Sequence, residues 1–310
     1  MDTRMVVIVG PTAAGKTECA VSLAHTFDGE IISADSMQVY RYMNIGTAKP
    51  TAEERRGIRH HLIDVVDPDE EYNVARFVDE AREHMEQIEE RDKNIFVAGG
   101  TGLYVRALIG GIFPGPGPDS EYRRALRTDA DRFGSHHLFE RLREKDPAAA
   151  RLIHPNDTVR LIRALEVFND SGESIVDLQR KHGFRDERYK SLVIGIVPDR
   201  SELYDRIDRR ADTMISRGLV VEVEGLLGRG YHGDLKPMQS MCYRHIVAFI
   251  QGVHGLPEAV ALMKRDTRHY AKRQMTWFRQ ERDIQWVGSE NRERVERIVG
   301  EFLDRHGPEE

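Results

Sequence analysis

Apolar positions along this chain follow two rhythms. Short unbroken runs, of the kind that fill the middle of a sheet, occur at Arg4 to Val9 ("RMVVIV"), Glu30 to Ser36 ("EIISADS") and within "HHLIDVVDP". Two more precede the glycines of "NIFVAGGTGLYVRAL" and fill Lys190 to Asp199, "KSLVIGIVPD". Between the runs the spacing becomes helical. Val74, Phe77, Val78, Ala81, Met85 and Ile88 share one face over 74–91, and a helix is expected over 17–27. Strands alternating with helices predict an α/β fold, a parallel sheet flanked by helices and joined by right-handed crossovers.

The rhythm breaks at "GIFPGPGPDSEY", where Pro114, Pro116 and Pro118 stand among glycines and end the sheet pattern. From there to about Tyr189 the chain is charged and helical, without a convincing strand. After Lys190 to Asp199 it reads as long helices to the end. The expected organisation is an α/β core over 1–114, a helical insertion over 115–189, and a return to the core over 190–310.

Composition narrows the class. Of the 310 residues 40% are apolar, enough for a real core, and 32% are charged, which suits a well-solvated surface. No run approaches the roughly 18 apolar residues of a membrane span. "MDTR" passes straight into a strand pattern, so no signal peptide is read. Cys19 and Cys242 are the only cysteines, which excludes a disulfide framework and favours the cytoplasm. The net charge of −6 argues against coating by nucleic acid and leaves room for a local basic face. Nothing demands more than a monomer.

The candidate chemistry begins at "GPTAAGKT". Gly10, Pro11, Thr12, Ala13, Ala14 and Gly15 followed by Lys16 and Thr17 spell the phosphate loop G-x-x-x-x-G-K-[ST]. Its backbone N–H groups and helix N-terminus suit an anion, Lys16 adds a positive charge, and the Thr17 hydroxyl can sit on Mg²⁺. A strand before and a helix after favour phosphate binding over an ordinary glycine turn. Most such loops hold ATP or GTP, yet no N-K-x-D motif and no strand ending in a D-E pair accompanies this one.

Asp35 falls where the second strand should end, at the carboxyl edge of the sheet. There it could hold Mg²⁺, take a proton, or cap a helix. "AGGTGLY" places Thr101 in another strand-to-helix turn on the same edge. Lys264 to Arg282 carries a surplus of five positive charges with Tyr270, Trp277 and Phe278 interleaved, a composition that suits RNA. The alternative is an amphipathic helix with aromatics inside and charges solvated. Arg160 and Arg163 share a helix face, as do Arg206 and Arg210. The pairs His60–His61 and His136–His137 lack ligand spacing and read as surface histidines.

Together these segments resemble the tRNA dimethylallyltransferases, also called tRNA isopentenyltransferases, over nearly the whole chain. The resemblance rests on "GPTAAGKT", "SADSMQVYRYMNIGTAKP", "HHLIDVVDP", "VAGGTGLY", "IHPNDTVRLIRALEVF", "MISRGLVVEVEGLL" and "TRHYAKRQMTWFR" in that order. It implies a P-loop NTPase-like core and transfer of a dimethylallyl group from dimethylallyl diphosphate to N6 of an adenine. That adenine is number 37, beside the anticodon, in tRNAs reading codons that begin with U. By motif position, Asp35 would be the general base, while Lys16, Thr17, Thr101 and Arg210 would stabilise the diphosphate and its Mg²⁺. Ser36, Met37 and Gln38 would line the adenine pocket, and Arg123, Arg160 and Arg163 would grip the anticodon stem-loop. Three positions depart from the family pattern: Val159 stands in place of a frequent Gln, and Cys242 and His245 in place of Gly and an acidic residue. A P-loop kinase of a nucleotide or small metabolite is the alternative enzyme class.

Overall fold

A computed structural model of the chain describes residues 3–112, 120–183, 189–281 and 283–304. The proline run around Gly115 and residue Arg282 lie outside them. The chain divides into two compact units, residues 1–109 with 187–310, and residues 110–186.

The first unit opens with β1 (Arg4–Val9), α1 (Lys16–Thr26), β2 (Gly29–Ser33), the single turn α2 (Ala52–Arg55) and β3 (His60–His61). It continues with α3 (Val74–Glu89), β4 (Asn94–Gly99) and α4 (Gly102–Gly110). The second unit holds α5 (Ser120–Phe133), α6 (Ser135–Lys145), α7 (Pro147–Ala150), α8 (Thr158–Ser171) and α9 (Ile175–His182). The first unit then resumes with β5 (Lys190–Val197), α10 (Arg200–Ser216), α11 (Leu219–Gly228), α12 (Met241–Ile250) and α13 (Leu256–Phe278). It ends with β6 (Ile284–Gly288) and α14 (Arg292–Leu303).

The six strands form one parallel sheet in the order β3-β2-β4-β1-β5-β6, a P-loop-like arrangement. Strand β1 sits in the middle with Met5 to Val9 buried, because a strand covered by helices on both faces must be apolar throughout. Helix α3 does what its spacing predicts: Phe77, Val78, Ala81, Met85 and Ile88 are buried, and Asn73 caps its start by accepting from the N–H groups of Ala75 and Arg76.

Two strand readings change. "HHLIDVVDP" supplies only His60–His61 to the sheet, since Leu62 (φ 61°) and Asp64 (φ 59°) turn the chain away. The C-terminal stretch is not wholly helical: Ile284–Gly288 pairs parallel with β5 at the sheet edge. In the second unit, Leu126, Leu138, Leu142, Ala149, Leu161, Ala164 and Leu165 form a separate buried core.

Candidate active site

Strands β2, β4 and β1 are neighbours, so the turns leaving them stand about 4.8 Å apart along one edge. Open parallel sheets bind ligands at this edge. The sequence thus brings the phosphate loop, Thr101 and Asp35 together by strand order alone.

The loop leaves β1 at Gly10 (φ 147°), where any Cβ would run into the Ile196 carbonyl of β5. Gly15, at φ 93°, offers α1 no side-chain cap, so the first N–H groups of the helix face an incoming anion. Lys16 is half-buried, with Nζ donating to the Pro11 carbonyl at 2.7 Å. Burial pushes its pKa down to about 8; the Asp35 carboxylate opposes the fall and the Arg210 guanidinium adds to it. Thr17 is exposed on the first turn of α1. Thr12 donates its N–H to Gln274 Oε1 at 2.8 Å.

Ala13 to Thr17 form one wall of an open cavity of about 850 Å³. Facing them are Ile45, Ala48, Lys49 and Pro50, with Arg206, Arg209, Arg210 and Arg217 from α10 and the residue following it. Burial pushes the Arg210 pKa below its ordinary value, while Cys242, Asp35 and Glu54 pull it back up. No carboxylate among the described residues pairs with Arg210, whereas Arg206 is held by Glu202 at 2.5 Å. Lys16 and Arg210 are therefore half-buried cations left to meet an anion here, beside the exposed Arg209 and Arg217.

Asp35 realises one of its sequence readings, the cap, with one oxygen. One oxygen, Oδ1, accepts from the N–H groups of Met37 at 2.8 Å and Gln38 at 3.3 Å and so caps the following turn. Its other oxygen accepts no hydrogen bond among the described residues. Thr101 Oγ1 accepts from the Ser36 N–H at 3.1 Å, and the Thr101 N–H donates to the Ala34 carbonyl at 3.3 Å. Met37 is half-buried. Gln38 turns inward: its Oε1 accepts from the Ser33 hydroxyl at 3.2 Å and its Nε2 donates to the Ala48 carbonyl at 3.4 Å.

Three residues that hold the site together carry no role in the sequence reading. Gln274 accepts from Thr12 and donates to the Gly100 carbonyl at 2.9 Å, stitching two glycine turns. Nothing in a basic helix singles out one glutamine for that task. Glu222 Oε2 accepts from the N–H groups of Asn44 at 2.9 Å and Ile45 at 2.8 Å. Its Oε1 accepts from the Gly46 N–H at 3.1 Å and the Tyr243 hydroxyl at 2.6 Å. A glutamate inside the apolar run "GLVVEVEGLL" was the available signal. Lys49 is buried, its Nζ bonded to the Tyr40 carbonyl, to Asn44 Oδ1 at 3.1 Å and to Asp64 Oδ1 at 2.6 Å. Burial pushes its pKa down.

Elsewhere the chosen residues separate. In the second unit Arg123 forms two bonds of 2.7 Å to the buried Glu166, and Arg163 lies 3.8 Å from the same carboxylate. Arg160 is 64% exposed beside Asp157, and Val159 is 78% exposed. His61 is not a surface histidine: it is buried against Glu30 at 2.7 Å. His245 meets Asp266 at 2.9 Å, and Asp266 also binds Arg244 and Arg265, so the basic ring stands in a built ion cluster. Burial raises the Cys242 thiol pKa to about 11 against the pull of Arg210, and its Sγ lies 3.9 Å from Met214 Sδ.

A phosphate-loop motif, an arginine without a carboxylate partner and a carboxylate with one uncommitted oxygen thus stand together on a P-loop-like sheet. The chain belongs to the IPP transferase family, whose model matches residues 38–281. It is 49% identical over 300 residues to tRNA dimethylallyltransferase 2 of Syntrophus aciditrophicus (strain SB), covering 97% of this chain and 96% of the relative. To tRNA dimethylallyltransferase 2 of Geotalea uraniireducens (strain Rf4) it is 51% identical over 284 residues, 92% of each chain. The crystal structure of the full-length tRNA isopentenylpyrophosphate transferase from Bacillus halodurans matches with a TM-score of 0.72 and 40% identity, covering 98% of this chain and 100% of that one. A eukaryotic dimethylallyltransferase acting on tRNA matches with a TM-score of 0.81 and 26% identity, covering 100% of this chain and 81% of that one.

Proposed function

We propose that this protein transfers the dimethylallyl group of dimethylallyl diphosphate to N6 of adenine 37 in tRNAs that read codons beginning with U. The observation that carries the reading is the pairing on one edge of two cations without carboxylate partners, Lys16 and Arg210, with a carboxylate, Asp35, that keeps one oxygen uncommitted.

An exocyclic adenine amine is a poor nucleophile, so the leaving group must be made good. As the N6 lone pair attacks C1 of the prenyl group, the C1–O bond breaks and its electron pair leaves with diphosphate. Lys16, Arg210 and the N–H groups at the start of α1 face the charge that develops there. The free Asp35 oxygen takes the N6 proton. Thr101 and Ser36 hold the turn that aims Asp35, and the base must leave its stack to reach them. Mg²⁺ suits this site: Thr17 is exposed on the cavity wall, and magnesium commonly takes one such ligand together with substrate phosphates and water. When bound, the ion neutralises charge on the diphosphate. Arg160 and Arg163 on α8 would hold the stem-loop backbone, with Arg123 contributing through the α5–α8 pairing at Glu166. No helix among the described residues is long and apolar enough to cross a membrane. The reading takes the protein to act as a monomer in the cytoplasm.

The test is to incubate the protein with dimethylallyl diphosphate, Mg²⁺ and an anticodon stem-loop carrying adenines at 36 and 37, then analyse the nucleosides by mass spectrometry. Isopentenyladenosine is expected; none, where the RNA binds, overturns the reading. Asp35→Asn keeps a capping oxygen but removes the base, so turnover should fall about 10²–10⁴-fold with diphosphate affinity retained. Equal loss of both would assign Asp35 to the metal or the diphosphate.

A further inference from the structure

The cavity beside the phosphate loop carries more positive charge than its carboxylates balance. Two of its cations are already engaged: Lys49 is bonded to Asp64 at 2.6 Å and Arg206 to Glu202 at 2.5 Å. Of the carboxylates that line it, Glu18 pairs with Arg292 at 2.6 Å and Glu54 accepts the Thr51 N–H at 2.8 Å. Glu53 is exposed on α2. Arg56, Arg209 and Arg217 line the same cavity, are exposed, and form no ion pair among the described residues.

These charges are placed in order. Arg206, Arg210, Thr213 and Arg217 stand at i, i+4, i+7 and i+11, one face of α10 and the residue that follows it. Along that face the arginines pass from the loop to solvent. Arg206 Nη1 reaches the Ala14 carbonyl of the phosphate loop at 3.4 Å, Arg210 is half-buried, and Arg217 is exposed. At 1.5 Å per residue, Arg217 stands roughly 10 Å beyond Arg210 along the helix. Arg209 flanks the row, and Arg56 joins it from the end of α2.

We propose that Arg56, Arg209 and Arg217 are a capture row for the donor, drawing an allylic diphosphate from solvent into the cavity and passing it to Arg210 and Lys16. This rests on the reading of the protein as an enzyme that uses dimethylallyl diphosphate. A separation of about 10 Å is one Debye length at 0.1 M salt, so the outer charges add little to the grip on a seated diphosphate. They act on its approach, as charges at the rim of a binding site do. The occupant is a small anion and not RNA: among the described residues no aromatic ring lines the cavity, so a splayed base has nothing to stack on. At long range the net charge of −6 on the whole chain opposes any anion, which makes a local positive row decisive for how one arrives.

Association kinetics test this. An allylic diphosphate labelled with N-methylanthraniloyl on its prenyl end is mixed by stopped flow with wild-type protein and with Arg209→Gln/Arg217→Gln. A third sample, Arg294→Gln/Arg297→Gln, removes the same charge from exposed positions on α14. The association rate constant is followed from low to high salt, and dissociation is read by chasing with unlabelled dimethylallyl diphosphate. The α10 variant should associate about tenfold more slowly at low salt and converge with wild type at high salt, while dissociation stays within about twofold. The α14 variant should follow wild type throughout. Wild-type association in the α10 variant at low salt, or an equal loss in the α14 variant, overturns the capture row. Faster dissociation at unchanged association would make these arginines part of the grip, against the proposal. Loss of stem-loop affinity with donor association intact would assign them to RNA, also against it. A wild-type protein from which ATP displaces the probe and dimethylallyl diphosphate does not would overturn the proposed reaction, while association of the probe still decides the row.

Discussion

Lys16 carries a charge that its surroundings partly disfavour. Its pKa is pushed down to about 8, but gripping a diphosphate requires the ammonium form. Below pH 8 the ammonium is already present and affinity for dimethylallyl diphosphate should be flat. Above it a proton must be taken up on binding, so affinity should fall about tenfold per pH unit. Calorimetry in buffers of different ionisation enthalpy should register proton uptake near pH 9 and much less near pH 7. Lys16→Met should bind more weakly at every pH and flatten the profile. A wild-type profile that stays flat through pH 9 would show that Lys16 keeps its proton unaided. At this scale the sequence was informative where a motif sets both residue type and spacing, as at Lys16 and Thr17. Asp35 could be placed at the strand end but not assigned, because capping and proton transfer call for the same side chain. Only the folded chain shows that the cap uses one oxygen and leaves the other uncommitted among the described residues.

Among the elements, the loop over 44–50 depends on its supports. Glu222 of α11 receives three consecutive backbone N–H groups, and Lys49 ties the loop to Tyr40 and Asp64. Ile45, Ala48, Lys49 and Pro50 then line the cavity opposite the phosphate loop. Glu222→Ala leaves those N–H groups without an acceptor, about 1–3 kcal/mol for each that stays buried, so the loop should reposition. Steady-state kinetics should show KM for dimethylallyl diphosphate raised about tenfold or more, with RNA affinity little changed. Glu222→Gln should recover part of the loss, since one amide oxygen can still accept while its NH₂ opposes an N–H. A fall in kcat at unchanged KM would remove the loop from donor binding. These supports were not legible in the sequence because each joins residues far apart in the chain. The strands β1, β4 and β5 were legible because burial on both faces leaves a continuous apolar run. Strand β6 was not, since only Val287 of its five residues is fully buried and it follows directly on a long helix.

For the whole molecule, the question is whether the two units fold as separate cooperative bodies. The second unit has the means: its own apolar core around Leu161, and a buried carboxylate, Glu166, matched by Arg123 rather than left alone. Leu161 is fully buried, and its truncation to Ala should cost about 2–5 kcal/mol, a large share of the roughly 5–15 kcal/mol that stabilises a domain. Hydrogen exchange across 120–183 should then accelerate by about 30-fold or more, while β1, β4 and β5 keep their protection. Affinity for dimethylallyl diphosphate should persist, because Lys16, Thr17 and Arg210 all belong to the first unit. RNA affinity should fall, because Arg160 and Arg163 ride on the helix that carries Leu161. Equal loss of protection in both units would show that the insertion and the sheet fold as one body. RNA affinity unchanged in a variant whose insertion has loosened would place stem-loop binding on the sheet unit alone.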